Sequence, residues 1–279
     1  MERVSAITMK KAKTSKKPYR VSSGTGVSPV SSPPRRQCHK DAEIGSNKKK
    51  TPYRVGPKTG ELLTARRHRA AAVNKALHKL YPDADCALRH RSALHLLVST
   101  ILSAQCTDVR VNKVTPSVFK RYKTAKAFAQ AEPAELEELI RSTGFFRNKA
   151  KNIIGAGRVI TERFKGKVPD TMDRLIELPG VSRKTANVVL GTWFNKNEGF
   201  VVDTHVGRLS HRLGLTWRSR NAKDAVKIEC DLMEVFPKTD WAFLGHALIW
   251  HGRRVCPARK PDCQRCTLAK WCPSADRIA

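Results

Sequence analysis

The stretch LPGVSRKTANVVLGTWF, residues 178–194, sets a proline–glycine turn directly ahead of two adjacent cations, Arg183 and Lys184, and an amphipathic run. Proline fixes φ, and glycine permits a backbone reversal closed to other residues. The pattern predicts a tight turn at Leu178, Pro179, Gly180 and Val181, between a helix ending near Glu177 and another starting near Arg183. Such a turn leaves the first N–H groups of the second helix unpaired and pointing outward, a ready seat for a phosphate. The same residues would also suit an ordinary helix connection. Lys184 is the puzzling member, because a positive charge is least welcome at a helix N-terminus beside a second cation.

A related pattern lies upstream. Residues 139–155, LIRSTGFFRNKAKNIIG, align with 175–191, LIELPGVSRKTANVVLG, at six identical positions of seventeen, and Phe145/Val181, Ile153/Val189 and Ile154/Leu190 are apolar in both. Both copies read as helix, glycine turn, helix, so one supersecondary unit is used twice. From Arg66 onward the periodicity is helical, with no convincing strand alternation. Leu94, Leu97, Val98, Ile101 and Leu102 share a helix face, Pro133 stands where a first-turn proline belongs, and a further helix runs through NKAKNIIGAGRVITERF. An all-α fold follows.

Charge narrows the partners. The 279 residues carry 54 Lys and Arg against 24 Asp and Glu, a formal +30. Nucleic acid is the commonest large polyanion to neutralise such a surface. Residues 1–65 hold 15 basic and 4 acidic side chains, Ser/Pro/Gly stretches and two copies of PYRV, the signature of a disordered basic arm. The remainder still carries 39 basic against 20 acidic residues, so the arm does not account for the charge. The longest apolar run, ALHLLVSTILSA at 93–104, is too short to span a bilayer, and the basic N-terminus lacks the apolar segment of a secretory signal. No membrane association is expected.

Four of the eight cysteines, Cys256, Cys263, Cys266 and Cys272, fall in a C-x6-C-x2-C-x5-C pattern. Four thiolates so close together, without a secretory signal, point to a metal centre rather than disulfides. Spacing alone does not separate zinc from an iron–sulfur cluster. Cys38, Cys86, Cys106 and Cys230 are scattered and read as free thiols.

The hairpin LPGVSRKTANVVL resembles that of the endonuclease III family of helix-hairpin-helix DNA glycosylase/AP lyases. LLVSTILSAQCTDVRVNK, TGFFRNKAKNI, VVDTHVGRLSHRLGL and HGRRVCPARKPDCQRC are similar to other family segments, in family order, over about 85–273. The resemblance implies a two-lobed architecture with a C-terminal 4Fe–4S cluster loop at 256–272, held by the four cysteines. The lobes would be 86–197, and 66–85 joined with 198–279. It implies a monomer acting on double-stranded DNA with damaged bases or abasic sites, in the cytoplasm if bacterial and in the nucleus or mitochondrion if eukaryotic.

The resemblance also assigns roles. Lys184 would attack C1′ of an extruded nucleotide as a Schiff-base nucleophile. A solvated lysine, with a pKa of about 10.4, is protonated and cannot attack. A helix N-terminus, a neighbouring cation and a partly desolvated pocket would each disfavour the charged form, so the awkward placement would be the means of activation. Asp203, which also suits an N-cap of the following helix, would stabilise charge developing on the sugar. His205 reads as structural. Gln105 would fill the gap left in the stack and Phe145, or equally Phe146, would wedge it open. Leu178, Gly180, Ser182, Arg183 and Thr185 would contact the DNA backbone from the hairpin, and Arg259 and Lys260 from the cluster loop. Ser182 replaces a second glycine, so a positive φ there would strain the turn. Alternatives are a non-catalytic DNA-binding module, a relative specific for mismatches or pyrimidine dimers, and the adenine-specific mismatch enzyme, which normally has no lysine at the position of Lys184.

Overall fold

The computed structural model describes residues 61–275. Most of the basic arm, both PYRV copies and Cys38 lie outside them. In chain order the helices are α1 (Leu63–Leu80), α2 (Ala93–Leu102), α3 (Asp108–Arg121), α4 (Ala125–Ala129), α5 (Pro133–Ile140), α6 (Phe146–Arg163), α7 (Met172–Ile176), α8 (Arg183–Thr192), α9 (Thr204–Arg212), α10 (Ala225–Val235) and α11 (Trp241–Arg254). No strand occurs among the described residues.

Local chemistry sets most helix starts. Ser92, Thr107, Thr124, Ser182, Asp203 and Asp224 each accept a backbone N–H from the first turn of the helix they precede. That bond satisfies one of the donors a helix cannot pair within itself. Pro133 opens α5 as expected, since its missing N–H would have been unpaired there. Helix α1 begins at Leu63, ahead of the anticipated start at Arg66, because Glu61 and Arg66 already belong to packed structure. Arg66 is buried and donates to the Gly214 carbonyl at 3.1 Å.

Two apolar cores form. One collects Leu96, Leu97 and Leu102 of α2, Val118, Phe128, Leu136 and Ile140 of α3–α5, Ile153 and Ile160 of α6, and Val189 and Leu190 of α8. The other joins Ala70, Val73 and Leu77 of α1 to Phe200, Val202 and the inner faces of α9, α10 and α11, including Leu209, Leu232 and Leu248. The chain thus enters the second core, leaves it for the first, and returns. Helix α2 is buried beyond its expected stripe, with Leu96 and Ser99 also enclosed, because α3, α6 and α8 all pack on it.

Cys86 is a free thiol, pushed up to about 11 by burial, and Cys106 is also free. Cys230 is not among the free thiols, which corrects the reading of it as one.

Helix α4 packs closely on α6, where a methyl group on Gly157 would come within 2.8 Å of the Ala125 carbonyl oxygen and 2.9 Å of Phe128 Cβ. Gly157→Ala would normally favour a helix, but here it must push backbone aside. We expect it to cost about 1–3 kcal/mol, read as a lower urea midpoint at unchanged slope.

Candidate active site

The hairpin places its left-handed residue at Gly180, with φ 76°, one residue beyond Pro179. A side chain there would also strike Asn152 of α6 at 2.8 Å, so the glycine is required twice over. Ser182 has φ −82° and is the N-cap of α8, its Oγ accepting the Thr185 N–H at 3.3 Å. The strain expected from serine in place of glycine is therefore absent, because the reversal is completed before the chain reaches it. Leu178 needs a second correction. Its side chain is 2% exposed in the first core, so only its backbone could meet a ligand. Gly180, Ser182 and Lys184 are exposed and Thr185 is half-buried, all on the open side of the turn.

Arg183 does not stand beside Lys184 as a free cation. Its guanidinium donates to both carboxylate oxygens of Glu229, at 3.1 and 3.3 Å. Glu229 Oε1 also accepts from Asn187 Nδ2 at 3.1 Å. The Arg183 side chain is thus engaged with α10 rather than with the solvent face, which leaves its backbone N–H as the group that could meet a phosphate. Lys184 itself is exposed. The partly desolvated pocket expected around it is not supplied by this protein alone.

Asp203 caps α9 with one oxygen, Oδ1, which accepts the N–H groups of His205 and Val206 at 2.8 Å each. His205 Nδ1 accepts from the Arg208 guanidinium at 3.1 Å, and burial lowers its pKa below that of ordinary histidine, so it serves as a neutral structural partner. The other end of α9 grips the cysteine loop. Arg208 donates to the Cys256 and Gly252 carbonyls at 2.9 and 3.0 Å. Arg212 donates to Cys256 Sγ at 3.1 Å and to the carbonyls of Pro257 and Ala258. One short helix therefore ties Asp203 to the cysteine loop.

Gln105 and Phe145 share an uncommon feature. Both are exposed non-glycine residues in the left-handed region, at φ 53° and 49°. For a bulky residue such a conformation costs on the order of 1–2 kcal/mol, and strain of this kind clusters at functional sites. Phe145 is 63% exposed, whereas Phe146 is half-buried against the first core. In the repeat Phe145 matches Val181, but Val181 is buried and Phe145 points out, so the two copies have parted at that position.

Cys256, Cys263, Cys266 and Cys272 wall a single cavity together with Leu209, Leu213 and His251. Burial raises the thiols of Cys266 and Cys272 above the ordinary range. The four sulfurs surround a space rather than converging on one point: among the described residues no three His, Cys, Asp or Glu side chains are placed to share one metal ion. Arg259 and Lys260 are exposed on the loop between the first two cysteines, and Lys260 is left-handed at φ 50°.

The family model described as the HhH-GPD superfamily base excision DNA repair protein matches residues 98–238. Endonuclease III of Synechocystis sp. is 55% identical over 213 residues, 76% of this chain and 95% of that protein. The chain belongs to the endonuclease III family. Endonuclease III of Bacillus subtilis is 44% identical over 69% of this chain and 86% of its own length. Among solved structures, a trapped endonuclease III–DNA covalent intermediate superposes with TM-score 0.70 at 39% identity, covering 75% of this chain and 97% of that one. A thermostable thymine-DNA glycosylase, at 21% identity and TM-score 0.68, shares the fold.

Sequence reasoning did not find Glu229, Arg208 or Arg212. The two arginines were detectable in principle, since they follow Asp203 at helical spacing within DTHVGRLSHR. Glu229 was not, because it meets Arg183 from 46 residues away. In this endonuclease III relative Glu229→Gln keeps the shape but removes the charge facing Arg183. We expect a loss of about 1–3 kcal/mol in chemical unfolding.

Proposed function

We infer that this protein is a bifunctional DNA glycosylase and AP lyase of base excision repair, acting on oxidised pyrimidines in duplex DNA. The observation that carries the reading is Lys184: an accessible amine in the first turn of α8, at the lip of a hairpin suited to phosphate. Its counterpart in chemistry is the related protein caught covalently joined to DNA.

The hairpin would hold the DNA backbone through exposed N–H groups at Gly180, Arg183 and Lys184, independent of sequence. Arg259 and Lys260 would meet the backbone further along, and Gln105 and Phe145 would occupy the space vacated by the extruded nucleotide. Lys184 Nζ would attack C1′, and the base would leave with the bonding electron pair, taking up a proton. Opening of the sugar ring gives an iminium between Nζ and C1′. Loss of the C2′ proton then expels the 3′ phosphate with the C3′–O electrons. Asp203 would stabilise positive charge on the sugar through the oxygen its cap leaves unused. Since Lys184 is exposed, the DNA itself would have to exclude water from the amine. Activation would thus be completed by substrate binding and not by a pocket formed in advance. A non-catalytic module would use this lysine only as a phosphate contact, and the adenine-specific mismatch enzyme normally lacks one.

Cys256, Cys263, Cys266 and Cys272 would hold a 4Fe–4S cluster. The all-sulfur donor set fits such a cluster, and the four side chains wall one common cavity. When bound, the cluster would cross-link the four thiolates and fix the loop that carries Arg259 and Lys260. No described helix is long and apolar enough to cross a membrane, and the protein would act wherever the cell keeps its DNA, in the cytoplasm if bacterial.

Borohydride reduction in the presence of duplex DNA with an abasic site is expected to give a covalent adduct, which Lys184→Ala reduces by more than about a thousandfold. Asp203→Asn keeps a good cap, so stability should stay within about 0.5 kcal/mol while turnover falls at least tenfold, roughly. Adduct formation by Lys184→Ala at the wild-type rate would place the nucleophile elsewhere. Protein purified without oxygen should be brown and carry about four irons per chain, falling to near none in Cys263→Ser; a colourless protein with one zinc would contradict the cluster.

A further inference from the structure

A buried cation lies just behind the two exposed left-handed residues. Lys149, in the first turn of α6, is 4% exposed, and no carboxylate is among the groups that act on its charge. Its Nζ donates to the carbonyl oxygens of Leu102 and Thr143, both at 2.8 Å. Its backbone N–H donates to the Phe145 carbonyl at 3.0 Å. Leu102 is the last residue of α2, three positions before Gln105, and its carbonyl lies at the negative end of that helix. Thr143 closes the short turn Arg141–Thr143, two positions before Phe145, and is itself buried. One side chain therefore joins two segments 41 residues apart in sequence, each at the point where it departs toward its strained residue.

The placement is costly. A buried ammonium with only neutral acceptors forfeits hydration, and burial draws the pKa of Lys149 below the ordinary lysine value, with only a partial offset from Cys106. A methionine of similar length would fill the space without that cost. What it could not do is hold two carbonyls from different segments at a fixed separation. Without such a link, Gln105 and Phe145 would be free to relax out of the left-handed region, since their largely exposed side chains offer little packing to oppose it.

We propose that Lys149 is a positioning residue that locks the segment after α2 to the turn before α6, so that Gln105 and Phe145 enter the base stack as one rigid unit. This rests on the reading of those two residues as gap-filler and wedge. Lys149 does not touch DNA or the reacting atoms; it acts through the backbone of its two partners. Its loss should impair extrusion of a stacked nucleotide and spare chemistry on a nucleotide that is already unstacked.

The test compares full-length wild type, Lys149→Met and Phe145→Ala in two assays. The first reads the fluorescence rise of a purine analogue placed next to a non-cleavable lesion in duplex DNA, at saturating protein. The second reads borohydride trapping on an abasic aldehyde in single-stranded DNA, which needs no extrusion. We expect Lys149→Met to lower the extrusion signal by about tenfold to a hundredfold, as Phe145→Ala does, with single-strand trapping within about threefold of wild type. An unchanged extrusion signal in Lys149→Met, with the signal lost in Phe145→Ala, overturns the role of Lys149 and leaves the wedge standing. A full signal in Phe145→Ala overturns the wedge reading itself. Equal loss by Lys149→Met in both assays, accompanied by loss of a cooperative melting transition, makes the lysine a merely structural residue and overturns the proposal.

Discussion

The site depends on a carboxylate placed between two cores. Glu229, on α10 of the second core, accepts from Arg183 and Asn187 of α8, which belongs to the first. Lys184 follows Arg183 directly, and Asp203 opens α9 in the second core. Neither core contains both of the residues proposed for catalysis. A second crossing link, Arg253 of α11 to Asp108 of α3 at 2.8 Å, acts in the same sense on a more exposed pair. Glu229 is the stronger constraint because it is buried and satisfies two donors at once, and an unpaired charge left in that position would be costly.

Around this frame, several of the residues proposed to meet DNA are ones that the protein leaves unfinished. Lys184 is exposed, and Gln105 and Phe145 are left-handed and exposed. Their supports are the opposite: Lys149 and Glu229 are buried and hydrogen-bonded, and Gly180 has no room for a side chain. Unfinished groups on rigid supports suit a protein whose substrate completes the site. The duplex would provide the desolvation, the partner for the wedge and the acceptors for the turn.

Much of this could be read from the chain. The helical period, the caps and the proline of α5 are local properties, and the internal repeat announced two helical hairpins. The turn at Gly180 followed from the steric rules for proline and glycine. Phe145 shows where such reading stops: the repeat pairs it with buried Val181, yet one faces solvent and the other the core. The repeat fixes the backbone plan of the two units but not the neighbours each meets. The surroundings of the Leu178 and Arg183 side chains were not legible for the same reason. Both lie in a turn suited to phosphate, and both are claimed by packing partners remote in sequence.

From the sequence alone, an all-helical chain with a phosphate-suited hairpin, a cysteine loop and a strongly basic surface was already determined. These are consequences of short-range sterics, periodicity and composition, which need no knowledge of distant neighbours. Only the tertiary structure decided that Arg183 is spent on Glu229, that Phe145 and not Phe146 is exposed, and that Lys149 links two loops. Each of those outcomes depends on which long-range partner satisfies a buried polar group or covers an apolar one. That choice is made by the whole packing arrangement at once.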